Sequence, residues 1–174
     1  MKMMTAILLL CAFVSPLTRA DESEFTSKTI DLGIVVADLE RSLQFYTKAV
    51  GFESTGEFTA SVDLTRDSGL SAGEELVVKK LALGKDPGAT TIKLMQPAKA
   101  AKTTDQSYIT SSLGFSYLTI RVKSTQAALE RLKKAGVKVL AKGPKVLPGN
   151  EVALTVVKDP DGNFVELVGP ADHQ

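Results

Sequence analysis

Histidine and cysteine most often bind transition metals or attack substrates, and this sequence has one of each, His173 and Cys11. A zinc or iron centre built from two or three imidazoles is therefore ruled out. The sequence contains no Gly-rich phosphate loop, nucleophile elbow or Cys-x-x-Cys pair, so nucleotide-dependent, serine-hydrolase and thiol-redox chemistry have no motif here. What remains is carboxylate, ammonium and phenol chemistry: proton transfer, carbonyl polarisation or ligand recognition. Lys plus Arg number 21 against 20 for Asp plus Glu. That balance argues against a nucleic-acid binder, which relies on a large basic excess.

Residues 1–20 read as a secretory signal: Lys2 near the start, an apolar run from Ala6 to Val14, then Pro16 and small or polar residues leading to Ala20. The run falls short of the roughly 20 residues that a transmembrane helix needs. The expectation is cleavage near Ala20 and a soluble, exported chain, periplasmic or secreted, with no stable membrane insertion. Cleavage removes Cys11, leaving no thiol for a disulfide, a nucleophile or a metal. Leu8, Leu9 and Leu10 precede Cys11 where a lipoprotein site has small residues, which disfavours that reading.

The elements that must carry any site follow from periodicity. From Thr29 to Val36, Leu32, Ile34 and Val36 alternate with Asp31, Gly33 and Val35, the pattern of a strand with one face packed under a helix. Asp38 is a good N-cap, and Leu39, Leu43, Tyr46 and Val50 form one apolar stripe before Gly51 ends the helix. The same order recurs later. Leu118, Ile120 and Val122 repeat the strand, Ser124 caps a helix with Ala128, Leu132 and Ala135 on one face, and Gly136 stops it. Asp86-Pro87-Gly88 matches Asp159-Pro160-Asp161 at hairpin turns, where Pro fixes the second position and the following Gly, or Asp-Gly, supplies positive φ. Thr91–Met95 likewise matches Phe164–Val168. The expected fold is α+β: two tandem βαβββ modules, 27–97 and 112–170, in one domain spanning 27–170. A linker runs from Pro97 to Asp105 and a short tail covers 171–174. The two units would form a curved, partly open mixed sheet around a concave pocket.

Asp38-Leu-Glu-Arg-Ser-Leu-Gln-Phe-Tyr46 with Gly51-Phe52, and Asp159-Pro-Asp-Gly-Asn-Phe-Val-Glu-Leu-Val168, resemble the vicinal oxygen chelate superfamily over about Thr29 to Val168. That group includes glyoxalase I, extradiol dioxygenases and the fosfomycin- and bleomycin-resistance proteins. The resemblance implies fold more than reaction. In metal-dependent members the ligands, commonly His or Gln and Glu, lie on inward faces of the first and last strands of each module. Carried over, those positions fall on Asp31, Lys93, Tyr117 and Glu166, of which Glu166 alone is the expected type. An ammonium at Lys93 repels a divalent cation, and a neutral phenol at Tyr117 is a poor ligand. No essential cofactor is expected, and weak divalent metal binding would fall to Asp31 and Glu166.

These four residues are the pocket candidates. The structural reading is an internal ion pair in which Lys93 neutralises Asp31 and Glu166, a cation replacing a cation. As an acid–base set, Glu166 would accept a proton while Tyr117 or Lys93 polarises a carbonyl. Phe45 and Tyr46 read as core. Of the adjacent Lys79 and Lys80, one faces the groove and the other solvent. Gly143–Gly149 reads as an ordinary connector, with a loop over the cavity as its alternative, and His173 lies in a polar tail. Three functions follow. The first is an exported, metal-independent binder of a small molecule, as the bleomycin-resistance resemblance implies. The second is a glyoxalase-type lyase, isomerase or dioxygenase with an atypical site. The third is a non-catalytic dimerisation module, since the family resemblance also implies a homodimer.

Overall fold

The computed structural model describes residues 27, 29–140, 142–149 and 151–171. The signal at 1–20, Cys11 and His173 lie outside the described residues. Strand β1 (Leu32–Val35) is followed by helix α1 (Leu39–Gln44), which continues through Phe45–Val50, and then by β2 (Glu53–Ala60), α2 (Val62–Asp67), β3 (Leu76–Ala82) and β4 (Thr91–Gln96). The second half repeats this with β5 (Tyr117–Arg121), α3 (Thr125–Lys134), β6 (Lys145–Val146), β7 (Val152–Lys158) and β8 (Phe164–Pro170). The sheets run β1-β4-β3-β2 and β5-β8-β7-β6. In each, the first strand is parallel to the last and the other pairs are antiparallel. A parallel pair needs a long crossover, and the helix with its two following strands supplies it.

Helix α1 starts where side chains satisfy the N–H groups at its N-terminus and just before it. Asp38 accepts from Arg41 N–H at 2.9 Å, Gln96 Oε1 from Leu39 N–H at 2.9 Å, and Asp161 from Ala37 N–H at 3.2 Å. Its last turns are wound more widely than an α-helix, with Gly51 N–H reaching Tyr46 O at 3.0 Å, an i to i+5 bond. Gly51 then reverses the chain at φ +103°, a conformation open to glycine. In α3, Ser124 accepts from Ala127 N–H at 3.1 Å. Ala128 and Leu132 are buried, whereas Ala135, assigned by periodicity to the same face, is exposed because the helix is already turning there.

One core joins the modules. Leu39, Tyr46, Ala49, Val50 and Phe52 pack with Leu81, Ile92 and Leu94 of the first sheet and with Ile120, Leu132, Val157, Val165 and Leu167 of the second half. Of the two alternating stripes, Val36 and Ile120 are fully buried and the other four residues are half-buried against that core.

Three details depart from the periodicity. Helix α2, capped by Ser61, is inserted between β2 and β3 in the first module alone. The connector Gly143–Gly149 contains the short strand β6. In the turn after β3 the positive φ belongs to Gly84, at +106°, rather than Gly88, because the hairpin closes through Leu83 N–H to Thr90 O, outside the Asp-Pro-Gly corner. At the second hairpin Gly162 has the expected positive φ, +95°. Among the described residues no helix is long and apolar enough to cross a membrane.

Candidate ligand cleft

Alternation along β1 and β5 sends Leu32, Ile34, Leu118 and Ile120 toward the core and leaves the intervening residues on the opposite faces. Asp31 sits just ahead of β1. Its Oδ2 lies 3.3 Å from Lys93 Nζ, and the two side chains are 50% and 38% exposed. Lys93 is held there by register, since β4 places it beside Gly33. A Cβ on Gly33 would stand 3.0 Å from Met95 Cε, so the glycine leaves room for that side chain.

The second sheet presents Tyr117 and Thr119 on one face, with Phe164 and Glu166 as their partners on β8. Thr119 donates its hydroxyl to Glu166 Oε2 at 2.6 Å. Lys158, at the end of β7, stands 4.5 Å over the Phe164 ring and donates to Gln106 O.

Between the edge of the first sheet and the start of the second is a cavity of about 390 Å³, lined by Asp31, Gly33 and Tyr46 from the first module and Phe115, Tyr117 and Phe164 from the second. The four residues singled out in the sequence are therefore distributed. Asp31 and Tyr117 share the cavity, Lys93 is tied to it through Asp31, and Glu166 lies on the adjoining sheet face, bonded to Thr119. Lys93 pairs with Asp31, and no ion pair with Glu166 is present among the described residues. Periodicity did not single out Thr119 or Phe164, although both follow from alternation once Tyr117 and Glu166 are placed. Phe115 lies outside any strand and carries no sequence signal.

The wall behind the cavity is closely packed. The Tyr46 ring is fully buried, edge-on to Phe45 and Phe52, and its hydroxyl donates to Asp159 Oδ2 at 2.9 Å. Burial, reinforced by the Asp159 carboxylate, pushes the phenol well above its ordinary value, so it stays a protonated donor. Asp159 also accepts from the backbone N–H groups of Asp161 and Asn163 and from Asn163 Nδ2. At the edge of this region, hydrogen bonds from Ser107 lower the pKa of Asp105. Of the paired lysines, Lys79 binds Glu57, a hydrogen bond that raises its pKa, while Lys80 lies beside Lys93 on the other face.

A metal centre needs several convergent anionic or imidazole donors. Among the described residues no three His, Cys, Asp or Glu side chains converge. Asp31 is neutralised by an ammonium and Glu166 is engaged by Thr119.

Residues 29–167 match the family model of the Glyoxalase/Bleomycin resistance protein/Dioxygenase superfamily. The chain belongs to that superfamily. No curated protein matches the chain in sequence. Solved structures match it in fold. A glyoxalase family protein from Bacillus cereus aligns with TM-score 0.67 at 17% identity, covering 86% of this chain and 98% of that one. An antibiotic binding protein from a Streptomyces species aligns with TM-score 0.55 at 23% identity over 83% and 96% of the two chains. A glyoxalase I mutant from Zea mays gives TM-score 0.60 at 18% identity, covering 82% of this chain and 47% of that one. At these identities the superfamily likeness is one of fold, and the site must be argued from its own residues.

Proposed function

We propose that this superfamily member is an exported protein that binds a small molecule in the cleft between its modules without an essential metal. The observation that supports this is the Lys93–Asp31 pair beside a cavity whose lining is mostly apolar and aromatic, with Asn163 as its amide. Ligand sites are mostly apolar with a few placed polar groups, and this one offers ring faces from Phe115, Tyr117 and Phe164 with Asp31 and the Tyr117 hydroxyl as polar points. The ligand class that suits it is a planar, largely apolar molecule with a hydrogen-bond donor, such as an aromatic antibiotic. A structural neighbour described as an antibiotic binding protein is consistent with that class.

The test uses mature protein, starting at Asp21, purified without chelator and assayed beside Glu166→Ala. The expected result is substoichiometric metal in both by elemental analysis, with thermal stabilisation by aromatic antibiotics from a panel and no turnover. Stoichiometric metal lost in Glu166→Ala would overturn the reading and replace it with the glyoxalase-type enzyme. Mass spectrometry of the exported protein checks the cleavage site near Ala20.

The homodimer is part of the same proposal. Leu113 and Phe115, just ahead of β5 in the second module, are fully exposed, and Phe115 lines the cleft. A second copy covering them would also close the cavity. Leu113→Asp with Phe115→Asp is expected to give a monomer by light scattering where the wild type is a dimer, and a monomeric wild type removes the dimer from the proposal.

A further inference from the structure

A second concavity, of about 670 Å³, lies between the first helix, the segment that follows α3 and the β7–β8 turn, and it shares no lining residue with the cleft. Phe45 and Ala49 of the first helix, with Val137 and Leu140 beyond α3, give it an apolar lining. Arg41, Phe45 and Lys48 recur at helical spacing on one face of the first helix, so two cations flank the aromatic ring. Lys138 lines the groove from the segment after α3.

The charge there is unbalanced. Among the described residues the ion pairs are Arg66–Asp63, Lys79–Glu57 and Lys93–Asp31, so Arg41, Lys48 and Lys138 have no carboxylate partner. The fourth cation lining the groove, Lys158, directs its ammonium to Gln106 O and the Phe164 ring. The one carboxylate, Asp159, is buried and committed to Tyr46 and its own turn.

Helix C-termini normally repel anions through their free carbonyls. Here several of those carbonyls are occupied. Val137 N–H takes Leu132 O at 2.9 Å and Gly136 N–H takes Lys133 O at 3.0 Å. Arg131 takes Ala49 O and Val50 O at 2.9 and 2.8 Å.

We propose that this groove is a binding site for a small anionic amphiphile, a carboxylate or sulfonate on an apolar body, with the body against Phe45 and Val137 and the anion among Arg41, Lys48 and Lys138. A concave, apolar-floored site suits a single molecule, and its size is that of a ligand pocket. Its lining residues are distinct from those of the cleft.

The probe is 8-anilinonaphthalene-1-sulfonate, followed by fluorescence and displaced with dodecanoate, on the mature full-length protein. Lys48→Glu with Lys138→Glu is expected to weaken binding at least about tenfold with circular dichroism unchanged. Raising the salt concentration weakens wild-type binding, and neutral dodecanol displaces the probe less well than dodecanoate does. Lys48→Gln with Lys138→Gln, milder toward folding, is expected to give an intermediate loss. Wild-type affinity in both double variants overturns the proposal, as does a loss seen instead in the cleft variant Phe115→Ser. A fall in Tm of the Glu variant with unchanged affinity also overturns it, since the lysines would then serve the helix ends alone. Charge-dependent sedimentation with phosphatidylglycerol vesicles, without dodecanoate binding, would assign the cations to a membrane surface and overturn the single-molecule site.

Discussion

Tyr46 joins the halves of the molecule through one proton. Its hydroxyl donates across the modules to Asp159, and burial together with that carboxylate raises its pKa. In the unfolded chain the phenol titrates near pH 10. The folded state keeps the proton beyond that point, so the contribution of Tyr46 is complete below about pH 10 and is lost as pH rises further. Its slope approaches about 1.4 kcal/mol per pH unit. Denaturant melts of wild type and Tyr46→Phe between about pH 9 and 11.5 should show the wild type losing stability more steeply. Parallel slopes would mean that the phenol is not held protonated. Little of this was legible in the sequence, where Tyr46 read as core by its place in the helical stripe, while its partner lies in a distant hairpin that read as a turn. Asp86-Pro87-Gly88 and Asp159-Pro160-Asp161 look alike in sequence. In the structure the first is an exposed corner and the second feeds carboxylates into the other module. A local motif specifies the bend and leaves open what the bend touches.

At the scale of elements, strands and helices were readable because their periods are strong and their caps explicit. Asp38, Ser124 and Gly51 all act as residue type suggested. Helix α2 was not, since its six residues are too few for a periodic stripe and Thr65 is its one buried side chain. The contact between helices also escaped, because it depends on Arg131 reaching two backbone carbonyls on the other helix. Those bonds are charge-assisted and partly buried, so Arg131→Met is expected to cost about 1.5–3 kcal/mol in chemical denaturation. A cost under about 0.5 kcal/mol would show that water replaces the guanidinium without loss. Gly169 poses the opposite problem. A Cβ there would stand 2.5 Å from Val122 O, a backbone atom just past the end of β5. Gly169→Ala is therefore expected to lower stability by about 1–3 kcal/mol while leaving the far-UV circular dichroism intact.

The two modules repeat one topology, yet they share a single core, and that sets how the whole molecule unfolds. Leu132 of the second module is fully buried in the same cluster as Tyr46, Ala49 and Leu94 of the first. If each module had its own core, a cavity in one would melt it separately. With a common core, Leu132→Ala removes contacts from both at once, at about 2–5 kcal/mol. The expected outcome is one cooperative transition in wild type and variant alike, with probes in either module reporting the same midpoint shift. Tryptophan is absent, so a reporter Phe115→Trp in the second half and Phe58→Trp in the first, both at exposed positions, allows the halves to be followed separately. Two separated midpoints would mean that the cleft walls move independently. Coincident midpoints place Asp31 and Tyr117 in one cooperative unit, and a ligand bridging them would then stabilise both halves equally.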